Sequence, residues 1–87
     1  MQRHSIPSAT PQIARGTRLR YKGFEQTPSV EITAVLVPGH QEHDGGLPGI
    51  GVCWLKRRHG LRRFFYPCRS VHEFFSDMRF SNLEVCQ

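Results

Sequence analysis

IGVCWLKRRHGLRRFFY, residues Ile50–Tyr66, sets two apolar-aromatic runs on either side of a tip made almost wholly of positive charge. His59-Gly60 stands between the runs, and an Xaa-Gly pair in that position is a short hairpin signal. A two-residue turn there would set Arg57 opposite Arg62 and Lys56 opposite Arg63. Lower down it would pair Leu55 with Phe64, Trp54 with Phe65 and Cys53 with Tyr66. Cross-strand partners share a face, so this ribbon is apolar at its base and basic at its tip on both sides. Like charges set opposite one another are unfavourable unless an anion meets them.

Outward from the hairpin, the totals limit what the chain can be. Eighty-seven residues with 38% apolar content make one small domain with a thin stability margin. No run approaches the ~18 apolar residues of a membrane span, and the polar start has no signal-peptide apolar stretch. Three cysteines without paired spacing argue against a disulfide framework, so the expectation is a cytoplasmic protein. Twelve Lys and Arg face seven acids, a net charge of +5, and ten of the twelve are Arg. The Arg fork suits phosphate and stacks on rings. Lys56, Arg57, Arg58, Arg62, Arg63 and Arg69 fall in one acid-free stretch, and Arg15, Arg18, Arg20 and Lys22 in another. Brought together, they would make the one-sided field that a polyanion meets.

Residues 1–15 read as a disordered tail, with prolines, small polar residues and no apolar period. Residues 16–87 form the domain. In TRLRYK, from Thr17, Leu19 and Tyr21 point inward while Arg18, Arg20 and Lys22 make a basic outer face. Val30–Val37 is a β-branched strand with Val30, Ile32, Ala34 and Leu36 as its core face. The loop to Gly49 is rich in glycine and proline. After the hairpin, Pro67 ends the sheet. Ser70-Val-His-Glu73 fits a capping box, and Val71, Phe74, Phe75 and Met78 then follow at helical spacing for about two turns. Ser81–Val85 closes the chain as a strand, with Leu83 and Val85 on one face.

The pieces GTRLRYKG (Gly16–Gly23) and GVCWLKRRHG with the phenylalanine pair (Gly51–Pro67) resemble SH3-like barrels of the Tudor and KOW type. The resemblance implies a mainly β fold: a small antiparallel barrel of about five strands with one short helix before the last. Its relatives bind nucleic acids or peptides. Tudor-type hairpins usually carry acids after the Trp strand, where this chain has Arg58 and His59. That difference speaks against a methyl-lysine cage.

The candidate binding residues are therefore Arg18, Arg20, Lys22, Lys56, Arg57, Arg58, His59, Arg62 and Arg63, with Trp54, Phe65 and Tyr66 as possible stacking partners for bases. Against these stand plainer readings: a tip whose charge keeps the protein soluble, and aromatics that fill a small core. His40-x-x-His43-Asp44 and Cys68-x-x-x-His72 carry metal-capable donors but not the spacing of a zinc site, so no metal or cofactor is expected. No paired carboxylates, phosphate-cradling glycine motif or Ser-His-Asp signature is present, so no enzyme activity is expected either. Two partners remain open. One is nucleic acid; the other is an acidic protein surface, met by an interaction or inhibitor module such as a phage or mobile element carries. A purely structural domain is the third reading.

Overall fold

The computed structural model describes residues 10–23, 27–39, 45–55 and 62–86. The elements are β1 (Arg18–Tyr21), β2 (Val30–Val37), β3 (Gly49–Trp54), β4 (Arg63–Pro67), α1 (Val71–Ser76) and β5 (Leu83–Val85). All five strands lie in one antiparallel sheet in the order β4-β3-β2-β1-β5. The mainly β class, the strand count and the short helix before the last strand agree with the sequence reading. The barrel is not closed, however. β4 and β5 are the two edges, and among the described residues no ladder joins them.

Side chains bridge that gap instead. The segment from β4 to β5 carries Phe74 on α1 and Phe80 beyond it, both fully buried. Their rings stack 4.4 Å apart, and Phe80 in turn stacks on Phe64 of β4 at 6.0 Å. Tyr66 meets both phenylalanines edge-on, at 5.6 and 5.4 Å. Offset and edge-to-face rings at these separations are the favoured aromatic geometries. Leu19, Val30, Ile32, Ile50, Val52 and Leu83 supply the sheet's side of the same core, with Cys68 beside them. Ile13, within the stretch read as tail, also packs against this core, and residues 1–9 lie outside the described residues.

Two elements depart from the expected faces. In β2 the pairing with β3 shifts twice, between Ile32 and Ala34 and again between Ala34 and Val37. Each shift adds a residue to β2 that β3 does not match, which is a β-bulge. Val30 and Ile32 are buried as expected, but Ala34 and Leu36 are not the core positions that strict alternation predicts. Val35 packs on the core instead, and Leu36 is exposed with a left-handed φ of 52°. An odd slip in pairing exchanges the faces of everything beyond it.

The helix is also shorter than the spacing predicts. Ser70 caps it, its Oγ accepting from the Glu73 amide at 3.0 Å. Glu73, however, reaches past Ser70 and accepts from the Arg69 amide at 2.8 Å, so the reciprocal half of the capping box moves one residue back. Asp77 then stops the helix. Its carboxylate accepts from the Arg79 amide at 2.8 Å, the local alternative to helical bonding that Asp offers. Met78, expected on the core face, is 88% exposed, and Phe80 takes the buried place.

Candidate functional site

The β3–β4 register decides where the candidate residues go. Gly49 lies opposite Pro67, Ile50 opposite Tyr66, Val52 opposite Phe64 and Cys53 opposite Arg63. A His59-Gly60 two-residue turn would instead pair Cys53 with Tyr66. The register differs by three residues, an odd number, so the faces exchange. Trp54 shares the core face with Phe64, and their rings stack at 5.8 Å. Phe65 stands on the other face with Gly49, Gly51 and Cys53. The pairings Leu55 with Phe64 and Trp54 with Phe65 are thus both corrected. Residues 56–61 lie outside the described residues, so the turn and the candidate residues Lys56, Arg57, Arg58 and His59 do too.

Of the three possible stacking residues, Trp54 and Tyr66 belong to the inner aromatic cluster. The Tyr66 hydroxyl donates to Asp77 Oδ2 at 2.9 Å, and the Arg79 guanidinium lies over the Tyr66 ring at 5.6 Å. Burial pushes the Tyr66 phenol up, and the hydrogen bond to Asp77 adds to it. Asp77 is held below the usual carboxylate range by the Arg79 amide and then the Arg79 guanidinium. This trio ties the segment after α1 to β4. Phe65 alone of the three faces outward, and it lies across glycine. A Cβ built on Gly49 would meet the Phe65 ring at 2.4 Å and the Tyr66 carbonyl at 2.5 Å.

The outer face of the sheet carries Arg18, Arg20 and Arg63. Ladder pairs set Arg63, Cys53, Glu31 and Arg18 in one row across β4, β3, β2 and β1. Arg20 stands opposite Glu84 on β5. The basic face expected on β1 is therefore interleaved with acids from other strands. Arg18 Nε donates to Glu31 Oε1 at 3.4 Å, and Arg20 Nε to Glu84 Oε2 at 2.9 Å. Neighbouring charges along the chain gave no sign of this, because both acids come from distant segments. Lys22 is exposed at the end of β1. Arg62 is exposed too, and its Nε donates to the Trp54 carbonyl at 3.4 Å.

Arg63 stays clear of this pairing. It shares an open groove of about 540 Å³ with Arg15, Glu31, Thr33, Ala34, Val35 and Val37. Among the described residues neither Arg15 nor Arg63 meets a carboxylate. Arg15 reaches the groove through a tight turn. The Thr17 amide donates to the Ala14 carbonyl and the Ala14 amide to Thr17 Oγ1, at 3.0 and 2.9 Å. Gly16, at φ 94°, then lets the chain swing alongside Ile32. Arg15 belongs to a basic segment of the sequence, but no strand alternation marks it as a site residue. The turn that aims it into the groove depends on Gly16 and on pairing with β2.

Of the metal-capable pairs, Cys68 and His72 lie within the described residues. Cys68 is buried and His72 exposed, with its Nδ1 3.3 Å from Thr10 Oγ1. Burial raises the Cys68 thiol, which keeps it in the unreactive protonated form. Among the described residues no cluster of three metal-capable side chains forms; His40, His43 and Asp44 lie outside them. Among the described residues no helix is long and apolar enough to cross a membrane. Compared with known proteins, the sequence matches no protein-family model, no curated protein and no solved structure.

Proposed function

We propose that this chain is a small, cytoplasmic, non-enzymatic module that binds nucleic acid through its outer sheet face and the Arg-rich connection from β3 to β4. The observation that carries the reading is the meeting of Arg15 and Arg63 on one groove. They belong to the two acid-free basic segments, which lie far apart in the chain, and both residues line the same groove. Lys56, Arg57 and Arg58 add charge to the same connection by sequence. Arg18 and Arg20 contribute less, since each already holds a carboxylate. The fold proposal that goes with this is an open relative of the SH3-like barrels. It is supported by the strand order β4-β3-β2-β1-β5 with the short helix between β4 and β5.

A protein partner is the second reading, favoured by the alternation of Arg18, Glu31, Arg20 and Glu84 on the same face. Mixed charge of that kind suits a protein surface better than a uniform polyanion. Titrating labelled duplex DNA, single-stranded DNA and RNA at near-physiological salt separates the two. Four or five phosphate contacts give log K against log salt a slope of roughly −4 on duplex DNA, since each contributes about −0.9. Replacing Arg57 and Arg62 with Glu then flattens it by about two units. Affinity weaker than ~10⁻⁴ M for all three nucleic acids rejects the first reading and leaves the second.

A further inference from the structure

The groove has a chemical pattern of its own. Arg15 rises from the β1 side and Arg63 from β4, with the bulged part of β2 as the floor between them. The floor runs from Thr33 through Ala34 and Val35 to Val37, so it is small and largely apolar. Glu31 sits on the floor as well, already in contact with Arg18. Two cations that meet no carboxylate among the described residues therefore flank a mildly apolar bed with a single acid in it. A uniform polyanion has no use for the apolar bed or for the acid. A ligand that alternates an anion with a flat, partly apolar body matches both, and a nucleotide chain has that repeat.

The bulges give the bed its shape. Because each inserts a residue into β2, Thr33 and Ala34 both come up beside Gly51. A Cβ on Gly51 would lie 2.4 Å from Thr33 Oγ1, so glycine is what lets Thr33 settle there. The second bulge carries Val37 to the groove side opposite Gly49. Regular alternation would have turned Ala34 inward, away from the groove. The groove volume falls within the range of small-ligand sites, about 300–1,000 Å³, large enough for one nucleotide.

We infer that this groove holds one nucleotide of a single-stranded nucleic acid. The phosphates on its two sides lie on Arg15 and Arg63, and its base lies on the Thr33–Val37 bed. Glu31 there can accept a hydrogen bond from a base amino group, as Glu does from cytosine N4. The inference rests on the nucleic-acid reading and narrows it. A paired base is locked inside its duplex and cannot reach the bed, so the groove favours single strands over duplex of the same sequence.

The test is a titration of isotope-labelled wild-type protein with a single-stranded deoxycytidine dodecamer, followed by NMR, beside anisotropy titrations of Arg15→Gln/Arg63→Gln. The resonances of Thr33, Ala34, Val35 and Val37 are expected to shift and saturate together with the binding curve. The double variant should weaken single-strand binding at least tenfold and lower its salt slope by about 1.4, two contacts at about 0.7 each. Duplex binding should fall less than threefold. Saturable binding with shifts confined to residues 56–63 would overturn the groove and leave the broader reading standing. Equal losses for duplex and single strand would overturn the single-strand preference. No binding of any nucleic acid to the wild type would remove both.

Discussion

The inner face of the sheet holds Leu19, Val30, Ile32, Ile50, Val52 and Leu83, all essentially without exposure, under a lid of stacked phenylalanines. The outer face of the same strands holds Arg18, Arg20, Glu31, Cys53, Arg63, Glu84 and two glycines. Alternation along each strand makes these two surfaces from one set of residues. On the inner face each side chain is fixed by its neighbours, and a change there is felt as stability. On the outer face the glycines leave room for close neighbours and the charges are partly exposed. A change of charge there should alter binding before it alters the fold.

The comparison breaks most sharply at the lid. Phe74 and Phe80 bridge the two sheet edges, and Phe74→Ala removes a fully buried ring from a small core. Such a change costs about 3–5 kcal/mol, much of a small domain's stability. Urea denaturation should show a collapsed midpoint or no folded baseline. A loss under about 1 kcal/mol would mean that the lid does not hold the edges together. Gly49→Ala comes next, because its Cβ would strike both the Phe65 ring and the Tyr66 carbonyl. A ring can swing away but a paired strand carbonyl cannot, so a cost of about 1–3 kcal/mol is expected. That result would show the outer face has one rigid point.

Two smaller effects sharpen how the lid is hung. Ser70→Ala removes the N-cap acceptor of a six-residue helix and should cost about 1 kcal/mol in the same urea assay. Ser70→Asp should restore most of it, since Asp caps as well as Ser. The Tyr66–Asp77–Arg79 trio adds a pH dependence. Asp77 lies below its ordinary value of 3.8 in the folded state, so its stabilisation is present above that pH. It is lost as pH falls through the lower folded value. Tyr66 lies above 10.0, so its share is present below that pH and lost as pH rises through the raised folded value. Asp77→Asn should flatten the acid limb of a stability-against-pH curve measured between pH 2 and 6. An unchanged limb would assign the acid sensitivity to other carboxylates.

Where alternation and capping act locally, the sequence was readable. The bounds of the second strand, the Ser70 cap and the buried places of Leu19 and Leu83 follow from residue type and spacing. What escaped it depends on residues meeting from afar. Nothing along Val30–Val37 marks a bulge, because the bulge arises where Gly51 lets Thr33 in. The helix spacing carried on to Met78, but Asp77 prefers to bond the Arg79 amide, and the chain turned so that Phe80 was buried. Arg18 and Arg20 looked like an unbroken basic face because Glu31 and Glu84 join them only through the register. His59-Gly60 signals a two-residue turn, but the strands pair in a register that differs by three residues from the one that turn would set. The Val52–Phe64 pairing puts both side chains on the core face, where Phe64 can meet Trp54 and Phe80.

The smallest effect concerns those two ion pairs and tests how loosely the outer face is held. Arg18 is 57% exposed and 3.4 Å from Glu31, whereas Arg20 is 20% exposed and 2.9 Å from Glu84. Exposed pairs contribute about 0.2–1 kcal/mol, and a shorter, better sheltered pair sits toward the upper end. Double-mutant cycles with Arg18→Gln and Glu31→Gln, and with Arg20→Gln and Glu84→Gln, isolate each coupling. The first is expected near about 0.2 kcal/mol and the second nearer about 1 kcal/mol, both shrinking as salt is raised. The weaker pair is also the one beside the groove. Glu31→Gln should leave stability almost unchanged while freeing Arg18 for a phosphate, so affinity for a thymidine strand, which offers Glu31 no amino group, should rise and the salt slope steepen by one contact, about 0.7–0.9. If Glu31→Gln instead cost stability and left affinity untouched, the Arg18–Glu31 pair would be part of the framework, and the outer face would be less free than its exposure implies.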